Sequence, residues 1–185
     1  MFAFVIAAAI GLGATWIALT EGTAYGGVSI GAWTAWPRTG TPGIDPYARA
    51  MVARSGELPI GSGDGVAFFA RSSDDGRMLD GRCDVVVAGT TPQARFWTVT
   101  LYDPDGRLVP NSVQRQGFTS QELIRRSDGS FEITAGPRAR PGNWLPTGGV
   151  ERYVLALRLY DTPVGMATRT ARDAPMPSIS QKACQ

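Results

Sequence analysis

Apolar and polar positions alternate with a period of two through much of the chain after residue 60. In segment 95–102 tryptophan, valine and leucine alternate with threonine, and in segment 152–160 three leucines alternate with alanine, arginine and tyrosine. Because the side chains of a β-strand point to opposite faces in turn, this period predicts strands with one face towards a core. Turn sequences such as Asp75-Gly76 and Asp128-Gly129 separate the strand-length apolar runs, which are residues 66–72, 82–89, 95–102, 130–134 and 152–160.

Many short strands with few helices predict a mainly β fold, an antiparallel β-sandwich or jelly-roll-like domain with one or two short helices. Residues 28–36, which precede Pro37, are expected to form a single first strand. An N-cap aspartate before proline at Asp45-Pro46 predicts a helix over residues 47–55. The capping-box spacing in residues 119–122 predicts one or two further helical turns, whereas residues 143–146 are expected in a loop.

The first twenty residues carry no charged side chain. Twenty helical residues at about 1.5 Å each span about 30 Å, the thickness of the hydrocarbon layer, so a transmembrane helix is predicted. A signal peptide cleaved near Gly22-Thr23-Ala24 is the alternative, but the basic segment that normally opens a signal is missing, which favours an uncleaved anchor. Trp33 and Trp36 belong either to an aromatic belt at the lipid surface or, as we favour, to the core of the first strand.

These patterns divide the chain into four parts. Residues 1–20 are the anchor or uncleaved signal, and residues 21–40 are a juxtamembrane segment with the first strand. Residues 41–173 form the β-sandwich domain. Residues 174–185 are a proline-rich tail that only a docked Cys184 would order.

Composition narrows the chemistry that the chain can perform. The net charge is +2 and the basic residues are scattered, so a nucleic-acid partner is not expected. The sequence has no histidine, which excludes Ser-His-Asp and Cys-His nucleophile pairs and histidine-ligated metals. No catalytic motif, metal site or cofactor site is predicted, and an enzyme would depend on paired carboxylates, tyrosine, Lys182 or a hard metal ion bound by oxygen ligands.

The two cysteines, Cys83 and Cys184, match no metal or redox motif in their spacing. We expect a disulfide between them if the domain lies in an oxidising compartment, and free thiols if it lies in the cytosol. Since the positive-inside rule finds little charge near the apolar segment, the cysteine pair decides the orientation. The cysteine pair favours a domain on the external, periplasmic side of the membrane.

Four segments together resemble the domain-of-unknown-function family 1214: FWTVTLYDPDGRLVPN (96–111), Asp128-Gly129-Ser130, GNWLPTGG (142–149) and LRLYDTP (157–163). The resemblance covers about residues 91–163. It implies a β-sandwich, an envelope location and no established activity. Members often follow a second uncharacterised half, the 1254 family, which is not found here, so the chain resembles a short membrane-anchored alphaproteobacterial type. The family's Arg-Tyr-Ser continuation is also missing, because Gln116-Gly117 follow Arg115, and the role of that tyrosine is not carried over.

Seven residues are candidates for binding. A tryptophan beside an asparagine, at Trp144 and Asn143, could face a sugar ring or a lipid headgroup, although a plug at the end of the sandwich and a turn cap are the simpler interpretations. Arg158 lies in an apolar strand, and it either extends to solvent or is buried against a carboxylate such as Asp103. In the second case an anion site would form. The full candidate set is Tyr102, Asp103, Asn111, Arg115, Asn143, Trp144 and Arg158.

Two functions from different classes remain open. The first is a single-pass inner-membrane protein whose periplasmic domain is an accessory or binding module for another integral-membrane or envelope protein. The second is a carboxylate-dependent envelope enzyme that acts on glycan or lipid. We favour the first because catalytic side chains are few.

Overall fold

A computed structural model of the chain describes residues 2–21, 27–55, 59–61, 63–165 and 174–184. Its elements are, in chain order, α1 (Phe2–Glu21), β1 (Val28–Ile30), β2 (Trp33–Ala35), α2 (Pro46–Ser55), β3 (Gly65–Ala70), β4 (Cys83–Gly89), β5 (Phe96–Tyr102), β6 (Gly117–Thr119), β7 (Phe131–Gly136), β8 (Asn143–Pro146), β9 (Val154–Tyr160), a 3₁₀ turn (Pro163–Gly165) and β10 (Ser178–Cys184). The described part is mainly β, as the sequence predicts.

The strands form two sheets. The six-stranded sheet has the order β1-β2-β3-β9-β5-β6, and the four-stranded sheet has the order β10-β4-β7-β8. All pairs are antiparallel except β7 with β8, which run parallel. The predicted sandwich is therefore confirmed, with one parallel pair that the sequence did not indicate.

The core lies between the sheets and follows the predicted alternation. Trp97, Val99 and Leu101 of β5 are buried, while the residues between them are half-buried. The leucines of β9 are buried beside them, and β4 and β7 supply valine, phenylalanine and isoleucine from the other sheet. Each strand thus has a core face and an outer face.

The first strand was predicted wrongly as one element. Residues 28–36 form a hairpin in which β1 pairs with β2, and Gly31 at its turn has a φ of 55°. Glycine adopts that left-handed conformation without the steric cost that other residues incur, which explains why the chain reverses there. Trp33 is fully buried and belongs to the core, whereas Trp36 is half-buried and contacts Phe69 on the outer face.

Two further elements correct the sequence interpretation, and a third adds to it. Residues 120–122 are a turn and not a helix, although the Glu122 carboxylate accepts the amide of Thr119 as in a capping box and also accepts the Thr119 hydroxyl. Residues 143–146 form β8 instead of a loop, because the edge of β7 offers partners for a parallel strand. The end of the tail is β10, which pairs with β4 at the edge of the four-stranded sheet.

The side chains of α1 are exposed through Ile17 and half-buried at Ala18 and Leu19, and no part of its most apolar stretch is buried in the protein. It is long and apolar enough to cross a membrane, and a signal sequence would have the same properties. The short helix α2 was predicted correctly. The carboxylate of Asp45 accepts hydrogen bonds from the amides of Tyr47 (2.9 Å) and Ala48 (3.3 Å), as an N-cap does.

Candidate functional site

Asn143 is a structural residue in this fold. Its side-chain oxygen accepts the amide of Ile124 at 2.8 Å, and its nitrogen donates to the carbonyls of Ile124 and Glu132, each at 2.9 Å. The side chain is buried, with 6% of the residue exposed. The oxygen and nitrogen of its side-chain amide are hydrogen-bonded within the protein and hold the loop before β7 against the start of β8. This side chain is therefore not available to a ligand.

Trp144 lies on the side of the four-stranded sheet that faces away from the core. Its indole nitrogen donates to the carbonyl of Gly136 at 3.1 Å, and its backbone pairs in register with Thr134. The ring is half-buried. It therefore covers the outside of β7, which differs from the predicted plug at one end of the sandwich.

Asn111 and Arg115 form a small ring that shapes the loop between β5 and β6. The side chain of Asn111 accepts the amide of Arg115 at 3.0 Å and donates to its carbonyl at 2.7 Å. The Arg115 guanidinium lies 5.1 Å from the centre of the Phe118 ring and donates to the carbonyl of Trp144 at 3.2 Å. These contacts connect the loop to β8, and they place Arg115 near Trp144.

Asp103 also has a local role. Its carboxylate accepts the amide of Arg107 at 2.8 Å and closes the turn that follows β5. The predicted alternative in which Arg158 is buried against Asp103 is therefore wrong, because Asp103 points into its own turn. No joint site of Tyr102, Asp103, Arg115 and Arg158 forms, since Arg115 binds the carbonyl of Trp144.

Tyr102 and Arg158 do meet, on the outer face of the six-stranded sheet. The guanidinium of Arg158 donates to the hydroxyl of Tyr102 at 3.0 Å and lies 5.2 Å from the centre of its ring. In the strand register Arg158 is opposite Thr98 and Tyr102 is opposite Val154. The arginine side chain must therefore run along the sheet past Ala156, which is fully buried although it is on the outer face.

Aromatic residues surround this pair on the same face. Phe96 and Tyr160, opposite each other on β5 and β9, have ring centres 5.9 Å apart, and Phe69 on β3 contacts Trp36. All four are half-buried. We call this surface the outer face, and define it by Trp36, Phe69, Phe96, Thr98, Thr100, Tyr102, Ala156, Arg158 and Tyr160. The sequence offered a signal for it, because apolar aromatics occupy positions where the alternation predicts polar side chains.

A second polar group lies at the outside of β4. Arg140 forms a short hydrogen bond to the carboxylate of Asp84, and the other oxygen of Asp84 is buried against Gly136. Nearby, the hydroxyl of Tyr153 is buried, and this burial, with the charges of Asp80 and Asp84, raises the pKa of Tyr153 far above its ordinary value. The phenol therefore stays neutral and cannot act as a base near neutral pH.

Asp74, Asp75 and Asp80 lie close together in the sequence but bind separate partners. Asp75 accepts from Ser73 and Arg77, and Asp80 is held by the Arg82 side chain with two hydrogen bonds of 3.0 and 2.7 Å. The Arg82 side chain, followed by its backbone amide, lowers the pKa of Asp80 from 3.8 to about 2. Asp74 bonds to the amides of Ala32 (3.1 Å) and Ile179 (2.7 Å), so it links the β1–β2 hairpin to β10.

The predicted disulfide is present. Cys83 is buried at the start of β4, Cys184 lies opposite it at the end of β10, and 101 positions separate them in the sequence. The bond ties the final strand to the sheet, with Ile179 in the core and the indole of Trp33 donating to the carbonyl of Pro177 at 2.7 Å.

Comparison with known proteins gives a family and a fold. The family model described as "Protein of unknown function (DUF1214)" matches residues 64–164. No curated protein matches the chain. Among solved structures, the VPA0106 protein from Vibrio parahaemolyticus is 22% identical with a TM-score of 0.59 over 76% of this chain, and a putative uncharacterized protein from Burkholderia cenocepacia is 20% identical with a TM-score of 0.44 over 80%. This chain spans 36% and 46% of the lengths of those two proteins.

Proposed function

We propose that this chain, which belongs to the DUF1214 family of proteins of unknown function, is a membrane-anchored periplasmic accessory module that binds another envelope protein. The observation that carries the proposal is the combination of an apolar helix, of which no residue in Phe2–Leu19 is buried in the protein, with a disulfide in the domain that follows it. An exposed apolar surface of that length is stable in lipid and not in water. A structural disulfide persists in an oxidising compartment, which supports a domain on the periplasmic side of the membrane.

The outer face is the surface that we propose for the partner. Tyrosine, tryptophan and arginine are the residue types that dominate the energetics of protein interfaces, and all three occur there. Tyr102 and Arg158 hold each other in place at 3.0 Å, so little side-chain entropy would be lost on binding. The Vibrio protein, in which a similar fold is 36% of a longer chain, supports a partner that supplies a neighbouring structure to this module. A protein of the 1254 family is the partner that we propose first.

A photo-crosslinking experiment in whole cells tests this proposal. A photoreactive amino acid replaces Thr98, which lies in the centre of the outer face, and in a matched variant it replaces Ser180 on β10 of the other sheet. We expect one discrete adduct from position 98 and none from position 180. Equal adducts from both positions, or monomer alone from both, would contradict the assignment of the surface.

A carboxylate-dependent envelope enzyme is the second candidate, and the Asp84–Arg140 pair beside Trp144 is the observation that favours it. Gly136 lies between them, since it contacts Asp84 and accepts the indole hydrogen bond. However, glycoside hydrolysis normally requires two carboxyl groups across a cleft, and Asp84 is one carboxylate already bound to arginine. We therefore prefer the binding module.

A further inference from the structure

The short helix α2 lies next to the apolar helix α1. The guanidinium of Arg54, in the last turn of α2, lies 4.8 Å from the centre of the Trp16 ring of α1. Trp16 is five residues before the end of α1, which is about 7.5 Å along the helix axis. Tryptophan and arginine near the end of a membrane span occupy the interface between hydrocarbon and water. If α1 crosses the membrane, the end of α2 must therefore be at headgroup depth.

The neighbouring surface is basic. Arg38, Arg49 and Arg54 are exposed in residues 27–55, and the same range contains one acidic residue, Asp45. The Asp45 carboxylate is occupied by the first amides of α2, where the positive end of the helix dipole offsets its charge. The three arginines outnumber the two acidic residues of this part of the chain, Asp45 and Glu21 at the end of α1, so the segment next to the predicted span carries net positive charge.

We infer that α2 is an interfacial helix, and that Arg38, Arg49 and Arg54 bind the phosphates of anionic phospholipid headgroups. The inference rests on the proposed membrane anchor and goes beyond it, because it assigns a lipid contact to the folded domain. Charge complementarity and continuity with α1 select this ligand. Arginine suits it because its planar donors match phosphate oxygens.

The consequence is a fixed orientation of the sandwich on the membrane. The chain enters the six-stranded sheet after α1, and α2 connects β2 to β3 at the end of the sheet where Phe96 and Tyr160 lie. Headgroup binding by α2 would hold that end towards the bilayer. The outer face would then stand upright from the lipid surface, accessible to a neighbouring membrane protein.

The experiment uses the full-length protein in vesicles of phosphatidylcholine, with or without phosphatidylglycerol. An environment-sensitive fluorophore is attached at position 50 of α2 through Ala50→Cys, with the native disulfide intact. The test variant is R38Q/R49Q, which keeps the Arg54–Trp16 contact. The matched control is R107Q/R138Q, which removes the same charge from exposed loops outside the range 27–55.

With phosphatidylglycerol we expect a blue-shifted emission and quenching by spin-labelled lipid, which R38Q/R49Q weakens and R107Q/R138Q preserves. Two arginines at an anionic surface change the ratio of docked to undocked helix by roughly 30-fold. Emission that is identical in both lipids, or equal losses in both variants, would overturn the lipid contact while leaving the anchor intact. Protein that fails to float with neutral vesicles would instead overturn the anchor, and the lipid contact with it.

Discussion

At the scale of single residues, side chains that suggest ligand chemistry in the sequence are mostly used to hold the backbone. Asn143, Asn111 and Asp103 each bond to main-chain atoms a short distance away. Asparagine and aspartate compete well for such contacts because their short polar side chains reach nearby amides and carbonyls. A polar residue in a loop next to tryptophan is therefore a weak sign of a binding site.

Replacing Asn143 with alanine is expected to destabilise the domain by about 2 to 4 kcal/mol, because the amide and carbonyl of Ile124 and the carbonyl of Glu132 lose their partners in a buried environment. Denaturant unfolding followed by tryptophan fluorescence measures the change. Asn111→Ala is the comparison, since Asn111 makes similar bonds in a more exposed loop and should cost less. If Asn143→Ala were as stable as the unmodified protein, its structural role would be wrong.

Asp80 gives the domain part of its acid sensitivity. Its pKa is about 2 in the folded protein, below the ordinary value of 3.8, because the Arg82 side chain and then the Arg82 amide bond to the charged form. A carboxyl with a lowered folded pKa stabilises the fold above its unfolded pKa, and that contribution is lost as the pH falls towards 2. Arg82→Gln should move the pKa of Asp80 up towards 3.8, as measured by NMR titration. It should also reduce the loss of stability between pH 4 and pH 2. An unchanged pKa would contradict the assigned cause.

At the scale of elements, alternation predicted five of the strands that have a clear core face, and it missed the short strands and the seven-residue β10. β3, β4, β5, β7 and β9 lie within one or two residues of the predicted runs, because each has buried side chains at alternate positions, although β9 also buries Val154 and Ala156. β6 and β8 have three and four residues, too few to establish a period. They form strands because each pairs with the edge of a longer strand. That pairing depends on the tertiary structure and cannot be read from the local sequence.

The final strand depends on the disulfide that holds its end. Closing a loop of this length stabilises a fold by about 4 kcal/mol in the chain-entropy model. Replacing both Cys83 and Cys184 with alanine should lower the free energy of unfolding by about that amount, as measured with urea. Hydrogen exchange should also show that the amides of β10 lose protection before those of β7.

The control for the disulfide is the unmodified protein in reductant. Its stability should fall to that of the double alanine variant, and the variant itself should not respond to reductant. A reductant effect of equal size on both proteins would show that the bond is not the cause.

At the scale of the whole molecule, the sequence predicted the two-layer fold and the helix that precedes it, but not the arrangement of the candidate site. The outer face is assembled from β2, β3, β5 and β9, which are far apart in the chain. Tyr102 and Arg158 are 56 positions apart and meet only through the pairing of β5 with β9. No spacing rule within one strand could have found that pair.

The proposed topology can be tested on intact cells. Full-length protein should remain in the membrane fraction after alkaline extraction, and the domain should be degraded by protease in spheroplasts. A thiol reagent should label the denatured protein only after reduction. Recovery of soluble full-length protein with both thiols reactive would contradict the anchor and its orientation together.

Asp74 links the β1–β2 hairpin to β10, and this link affects how the domain would withstand a pulling force from the proposed membrane anchor α1. A pull transmitted along the chain from the bilayer reaches the β1–β2 hairpin first. The hairpin is tied through Asp74 and Trp33 to the final strand, and that strand is covalently joined to β4. The strain is therefore shared with the second layer, so that β2 is not peeled from β3 one hydrogen bond at a time.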